Sequence, residues 1–144
     1  MKKKKYDIAF CAGVFDMFHA GHRNLIDKML EIADTVTLLI HDDHSTYVNK
    51  GKFPVQQCSH RLENIRSTEL IRGAYRCLSP DPTVAFKWLW EDLNFKELNC
   101  VYVRGDDWQD FPGRKFIEEK NIPIVFVKYT PGISSTKLRD ELNK

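Results

Sequence analysis

The sequence predicts an α/β fold: a doubly wound parallel sheet in a single domain spanning residues 1–144. Three observations lead there. Short β-branched or apolar runs alternate with segments of helical periodicity, a pattern that sets helices against both faces of a parallel sheet. The length suits one domain with one core, and no internal repeat, low-complexity tract or linker divides it. Polar, chemistry-bearing segments follow three of the runs: "DMFHAGH", "RGDDW" and "YTPGISST". Rossmann-like sheets of this kind bind ligands beyond the carboxyl ends of their strands, at the switch point, so the fold gathers these distant segments.

Each element has its own signal. Ile8–Cys11 reads as a first buried strand. His22–Ala33 reads as a helix, because Leu25, Ile26, Met29, Leu30 and Ala33 recur at helical spacing. "TVTLLI", Thr35–Ile40, is β-branched and apolar, a second strand. Residues 42–58 are polar and contain Gly51 and Pro54, which reads as a long loop. Ser59 is placed to cap a helix reaching about Ile71, and a short strand covers Tyr75–Leu78. Pro82 fits the first turn of a helix through Leu93. "CVYVRG", Cys100–Gly105, is a strand, Gly113–Asn121 a helix, and "IPIVFV", Ile122–Val127, the last strand. Gly132 opens a turn, and Ser134 or Ser135 caps a final helix through Leu142.

Composition excludes several classes. A 42% hydrophobic and 29% charged chain is that of an ordinary globular domain. A net charge of +2 is too small to argue for nucleic acid as a partner. No apolar run approaches the roughly 20 residues of a membrane span. The opening "MKKKKYDIAFCAG" has the basic start of a signal peptide but not its apolar length, so Lys2–Lys5 read as a solvated lead-in to the first strand. Cys11, Cys58, Cys77 and Cys100 are widely spaced with no C-x-x-C pair, which reads as free buried thiols in a cytoplasmic protein.

His19 and His22 carry the chemistry. The first lies in the loop before a helix and the second in its first turn, so the three-residue spacing puts both on one side. Gly21, between them, lets a ligand approach the backbone. A helix N-terminus adds free N–H groups and a positive dipole, which suits a phosphate. Attack by an already ionised phosphate on a nucleotide α-phosphate, with pyrophosphate leaving, needs no strong general base. It needs positioning and positive charge in the transition state. The rival readings are metal ligation, which calls for a third ligand and i, i+4 spacing, and structural histidines satisfied locally.

"GVFDMFHAGH", "RGDDW" and "PGISSTKLRDEL" stand in the order of the nucleotidyltransferase family marked by H-x-G-H. Within it, the chain from Ile8 to about Leu142 resembles the cytidylyltransferases. The resemblance implies transfer of a cytidylyl group from CTP to a small phosphorylated alcohol, giving a CDP-alcohol and pyrophosphate. Glycerol 3-phosphate is the first choice of acceptor, with phosphocholine, phosphoethanolamine or a sugar phosphate behind it. It implies Mg²⁺ bridging the phosphates, with no metal site built of protein ligands alone, and a homodimer. His19 and His22 map to the pair that binds the triphosphate and stabilises the transition state. Gly13, Phe15 and Asp16 map to the segment packed on the nucleotide, although Gly13 alone equally suits a tight turn. Lys50 and Lys52 match two family lysines by their distance from His60–Arg61; Lys50 takes a catalytic role and Lys52 a phosphate. Arg61 and Arg72 map to the acceptor side. "HDDH", His41–His44, has the wrong spacing for a zinc site and falls near the acceptor in relatives, which assigns Asp43 there.

Asp106 and Asp107 follow a strand, where two acids hold Mg²⁺ or ribose hydroxyls or merely form a turn; Asp107 is assigned to the nucleotide. Trp108 packs either on the base or on the core. Thr130, Gly132, Ser134 and Ser135 match the last motif, offering hydroxyls and helix-start N–H groups to phosphates. Two positions depart from the family. Tyr75 stands where relatives carry an aspartate, and Tyr129 where they carry a phosphate-binding arginine. A tyrosine at 129 donates a hydrogen bond without charge, which keeps open a second reading, a nucleotide-binding protein without turnover. ATP in place of CTP is the other rival, opposed by G-D-D-W and G-I-S-S-T.

Overall fold

The computed structural model describes residues 4–67, 71–106 and 109–128. Five strands form one sheet: β1 (Tyr6–Gly13), β2 (Ala33–His41), β3 (Gly73–Cys77), β4 (Cys100–Gly105) and β5 (Ile124–Val127). Their order is β3-β2-β1-β4-β5, and every neighbouring pair runs parallel. The chain starts at the centre, winds outward to β3, then returns to the far side of β1. The direction of winding therefore reverses between β1 and β4, and the crevice at their carboxyl ends is the switch point.

The helices are α1 (Ala20–Ile32), α2 (Asp43–Lys50), α3 (Cys58–Arg66), α4 (Thr83–Glu91) and α5 (Arg114–Glu119). Alternation along the central strands assigns them to two layers. Ala9 and Cys11 of β1 face a core closed by Ile26 and Met29 of α1 and by Leu62 and Ile65 of α3. Ile8 and Phe10 face the opposite core, closed by Phe86 and Leu89 of α4 and by Phe116 and Ile117 of α5. Phe10 meets Phe86, Phe95 and Tyr102 edge-on at 5.1–5.8 Å between ring centroids. The four cysteines are buried, and among the described residues none forms a disulfide.

Two expectations fail locally. The polar loop over 42–58 contains α2, a helix with little apolar periodicity but with both ends specified. The Asp42 carboxylate accepts from the Ser45 N–H at 2.7 Å, and Gly51 closes the helix in the left-handed conformation at φ 77°. Lys50 is consequently the last residue of a helix. Ser59 does not cap α3; it lies inside the helix, whose N-cap is Gln57 without a side-chain bond. The expected final helix lies outside the described residues.

Candidate active site

The turn from β1 into α1 is held in an unusual shape. Phe15 and Met17 both adopt left-handed backbone, at φ 54° and 48°, conformations that a side chain adopts only under tertiary constraint. The constraint is visible. A side chain at Gly13 would place its Cβ 2.8 Å from the Phe15 ring, so glycine admits the buried phenylalanine. Asp16, also buried, accepts from the N–H groups of Val55 and Gln56 at 2.7 and 3.0 Å. The Gln56 side chain returns a bond, its Oε1 accepting from the Met17 N–H at 3.0 Å. The turn and the segment between α2 and α3 thus form one braced unit.

This turn delivers the histidine pair. His19 is the N-cap of α1 and His22 its third residue, and they cap reciprocally. The Gly21 N–H donates to His19 Nδ1 at 3.1 Å, and the His19 N–H donates to His22 Nδ1 at 3.2 Å. Since each Nδ1 accepts, a neutral ring carries its proton on Nε2. Burial lowers the pKa of both rings; His22 falls to about 3, with the charges of His19 and Lys50 adding to the effect. The rings stack at 3.8 Å between centroids, and Phe15 and Phe18 pack on His22 at 5.1 and 5.6 Å. The product is a pair of neutral, fixed N–H donors beside a helix start that carries no acidic residue in its first turn.

Arg61 explains how the neighbouring strand ends are aligned. Its side chain is fully buried. Nη1 donates to the carbonyls of Val14 and His41, both at 2.8 Å, Nε to that of Gln56 at 3.0 Å, and Nη2 to Asp43 at 2.8 Å. One guanidinium therefore ties the ends of β1 and β2, the braced segment and the start of α2 together. Arg61, expected on the acceptor side, instead turns its charge inward onto four protein acceptors. Asp43, expected beside the acceptor, is its ion-pair partner and remains 40% exposed.

An open cleft lies at the carboxyl end of the sheet. Gly13 of β1, His41 of β2, Lys50 of α2 and Tyr102 and Arg104 of β4 line it. Tyr102 is wholly buried; its hydroxyl accepts from the Ala12 N–H at 3.2 Å, and burial pushes its pKa up. Arg104 donates to the Ala12 carbonyl at 3.3 Å and lies over the Phe111 ring. Lys50 joins the two halves of the site, lining the cleft while its charge acts on His22.

The structure thus brings together Gly13, Phe15, Asp16, His19, Gly21, His22, Lys50, Asp43 and Arg61. Phe15 and Asp16 face inward as support for the turn. Lys52 lies on the exposed stretch after α2. Arg72 is not brought to the cleft. It immediately precedes β3, and five strand residues separate it from the carboxyl end, about 16 Å of rise. Its reading as an acceptor contact rested on motif spacing, which cannot tell one end of a strand from the other. Asp107, Tyr129, Thr130, Gly132, Ser134 and Ser135 lie outside the described residues, as does Trp108. Three of these cleft residues had no assigned role from the sequence: His41, Tyr102 and Arg104. The "HDDH" and "RGDDW" segments pointed to the region, but only the strand order sets their first residues on either side of β1 at one cleft. Among the described residues no group of three His, Cys, Asp or Glu side chains forms a metal site, and no helix is long and apolar enough to cross a membrane.

With this geometry, residues 10–141 match the family model described as cytidylyltransferase-like. The chain belongs to that family, a class of nucleotidyltransferases. Its relatives include glycerol-3-phosphate cytidylyltransferase of Staphylococcus aureus, 26% identical over 133 residues, a match covering 90% of each chain. They also include ethanolamine-phosphate cytidylyltransferase of Dictyostelium discoideum, 28% identical over 143 residues, covering 94% of this chain and 36% of the other. Among solved structures, a lipopolysaccharide core biosynthesis protein from Thermoplasma volcanium superposes with a TM-score of 0.64 at 21% identity. It covers 87% of this chain and 98% of the other, a likeness of fold.

Proposed function

We propose that this protein transfers the cytidylyl group of CTP to a small phosphorylated alcohol, glycerol 3-phosphate first among them. The observation that carries the reading is the locked pair of Nε2–H donors at the start of α1, opening beside a cleft that holds Lys50 and Arg104. An oxygen of the acceptor phosphate attacks the α-phosphorus of CTP. The bond from that phosphorus to the bridging oxygen breaks, and pyrophosphate leaves with the electron pair. His19 and His22 donate to the oxygens on which charge grows, and because their rings are fixed, they need no reorganisation as the reaction proceeds. Lys50, between the pair and the cleft, holds the two phosphate groups against their mutual repulsion.

Mg²⁺ would enter this site as an ion carried by the nucleotide, because it characteristically keeps substrate phosphates and water as ligands. When bound, it neutralises triphosphate charge and eases departure of pyrophosphate. A homodimer belongs to the same reading; exposed Leu78 and Val84, each 73% accessible, and Trp88 supply apolar surface next to edge strand β3. The test is pyrophosphate release from CTP with Mg²⁺ across glycerol 3-phosphate, phosphoethanolamine, phosphocholine and sugar-alcohol phosphates. Release with CTP and one acceptor supports the reading. Binding of CTP without release in any mixture overturns it.

A further inference from the structure

Lys50 enters the cleft from the last residue of α2, a helix that apolar packing does not place. α2 buries only Ser45 and Thr46; its two apolar residues, Tyr47 and Val48, are 45% and 53% exposed. A helix normally takes its position from a buried apolar face, so α2 is placed by polar contacts instead. At its start, the Asp42 N–H donates to the Cys77 carbonyl of β3 at 2.9 Å, and Asp43 pairs with buried Arg61. Its last turn is tied by Asn49, whose Nδ2 donates at 2.9 Å to the carbonyl of Pro80 in the turn between β3 and α4. Only the amide end of an asparagine can meet a carbonyl at that distance, which fixes the orientation of the side chain. The accepting turn is itself held. Pro80 and Pro82 restrict the backbone on either side of Asp81, and the Asp81 carboxylate accepts from the Thr83 N–H at 2.9 Å. Asn49, Lys50 and Pro82 all line the cleft, so the bond joins two of its walls.

We infer that Asn49 is a positioning residue: its bond to Pro80 sets where Lys50 stands in the cleft, and so how Lys50 meets an anion there. The inference rests on the cytidylyl-transfer reading for what that anion is, and it adds the device that aims the lysine. A lysine head is a point charge on a flexible stem, with no rigid fork of donors to orient it. Its aim therefore depends on where its backbone is held. Asn49 is the chain neighbour of Lys50, and tying it to Pro80 fixes the Cα from which the lysine stem departs. The residue on the other side gives no such hold. Gly51 turns the chain at φ 77°, and a Cβ built there would meet no atom within 4 Å. Helix ends with few buried contacts open at low free-energy cost, so removing the Asn49 bond frees the last turn of α2 to move away from the β3–α4 turn. Misplacing a group that orients reactants by about 1 Å can cost about 100-fold in rate, so one side-chain bond suffices for a kinetic effect.

The test is a double-mutant cycle on the full chain: Asn49→Leu, which keeps the branched shape and removes the donor, Lys50→Ala, and the two together. Two quantities are read. One is affinity for inorganic pyrophosphate by calorimetry, which needs no turnover; Arg104 on another wall of the cleft keeps binding measurable once Lys50 is gone. The other is pyrophosphate release from CTP and glycerol 3-phosphate with Mg²⁺. With Lys50 present, Asn49→Leu is expected to weaken pyrophosphate binding about 5-fold and to lower kcat/KM about 10-fold; with alanine at 50, it changes each by less than about 2-fold, since linked groups couple and independent ones add. A general loss of packing would lower both backgrounds alike. Thermal melting checks folding, and Asn49→Ala repeats the cycle if the leucine disturbs it. An affinity unchanged by Asn49→Leu, one that falls equally in both backgrounds, or no pyrophosphate binding by the unsubstituted chain overturns the inference. A Lys50-dependent loss of affinity without release from CTP upholds it and rejects cytidylyl transfer; release without that dependence does the reverse.

Discussion

His19 and His22 stand 3.8 Å apart, ring centroid to ring centroid, and each holds its Nδ1 on a main-chain N–H of the same helical turn. The cap therefore fixes the tautomer: a neutral ring whose Nδ1 accepts carries its proton on Nε2, the nitrogen that the proposed transfer would use.

That geometry separates two substitutions. His19→Asn keeps a side-chain oxygen able to cap the helix and removes the Nε2–H. We expect kcat to fall about 100-fold, as for a lost transition-state donor, with melting nearly unchanged. His19→Ala should show the same kinetic loss plus about 1 kcal/mol of stability, the usual worth of a cap. Steady-state kinetics and urea unfolding check both. Unchanged kcat in His19→Asn would remove the histidine from the reaction.

Arg61 is expected to be the most sensitive charged position for folding. Arg61→Met strands three carbonyls at once and leaves half-exposed Asp43 to water, and each buried acceptor left unsatisfied costs about 1–3 kcal/mol. Arg61→Lys should recover little, because one ammonium cannot span four acceptors set around a planar fork. Asp43→Asn, at the exposed end of the pair, should cost about 1 kcal/mol. Chemical denaturation orders the three variants.

Asp16→Ala releases the Val55 and Gln56 N–H groups and frees the turn from the segment after α2. Each bond to a charged acceptor is worth about 1.5–3 kcal/mol, and a domain of this size loses about 2–4 °C of Tm per kcal/mol. A drop near 10 °C is expected by calorimetry, accompanied by faster hydrogen exchange in the His19–His22 turn.

The pH dependence of stability follows from the depressed histidines. His22 and His41 titrate near 3 and 4 when folded, against 6.5 for a free imidazole. The unfolded chain therefore binds more protons than the folded one across that interval, and stability rises with pH there. The contribution is fully present above about pH 6.5 and is lost progressively as pH falls toward 4 and then 3. Tm measured from pH 7.5 to 4 should decline, and less so in His41→Asn. An equal decline in that variant would assign the effect to other groups.

The strands were legible because each is a short apolar run between polar segments; Cys100–Gly105 matches residue for residue. The histidine pair was legible because a motif at a strand–helix junction has a local meaning. What stayed hidden has physical reasons. α2 carries little apolar periodicity, although Asp42 three residues before Ser45, and Gly51 at its end, are the cap signals that mark it. An arginine in a helix reads as solvent-facing, and nothing in its neighbours says that Arg61 turns inward. Arg72 was matched by spacing, yet a strand lies between it and the site. His41 and Arg104 meet across β1, a juxtaposition made only by the strand order.

The most direct test of the central claim is phosphorus NMR of a reaction holding the protein, Mg²⁺, glycerol 3-phosphate and either CTP or ATP. A new diphosphate diester is expected with CTP, with one equivalent of pyrophosphate for each product formed, and no product with ATP. Product from ATP alone, or intact CTP after prolonged incubation while CTP still raises Tm, would contradict that claim.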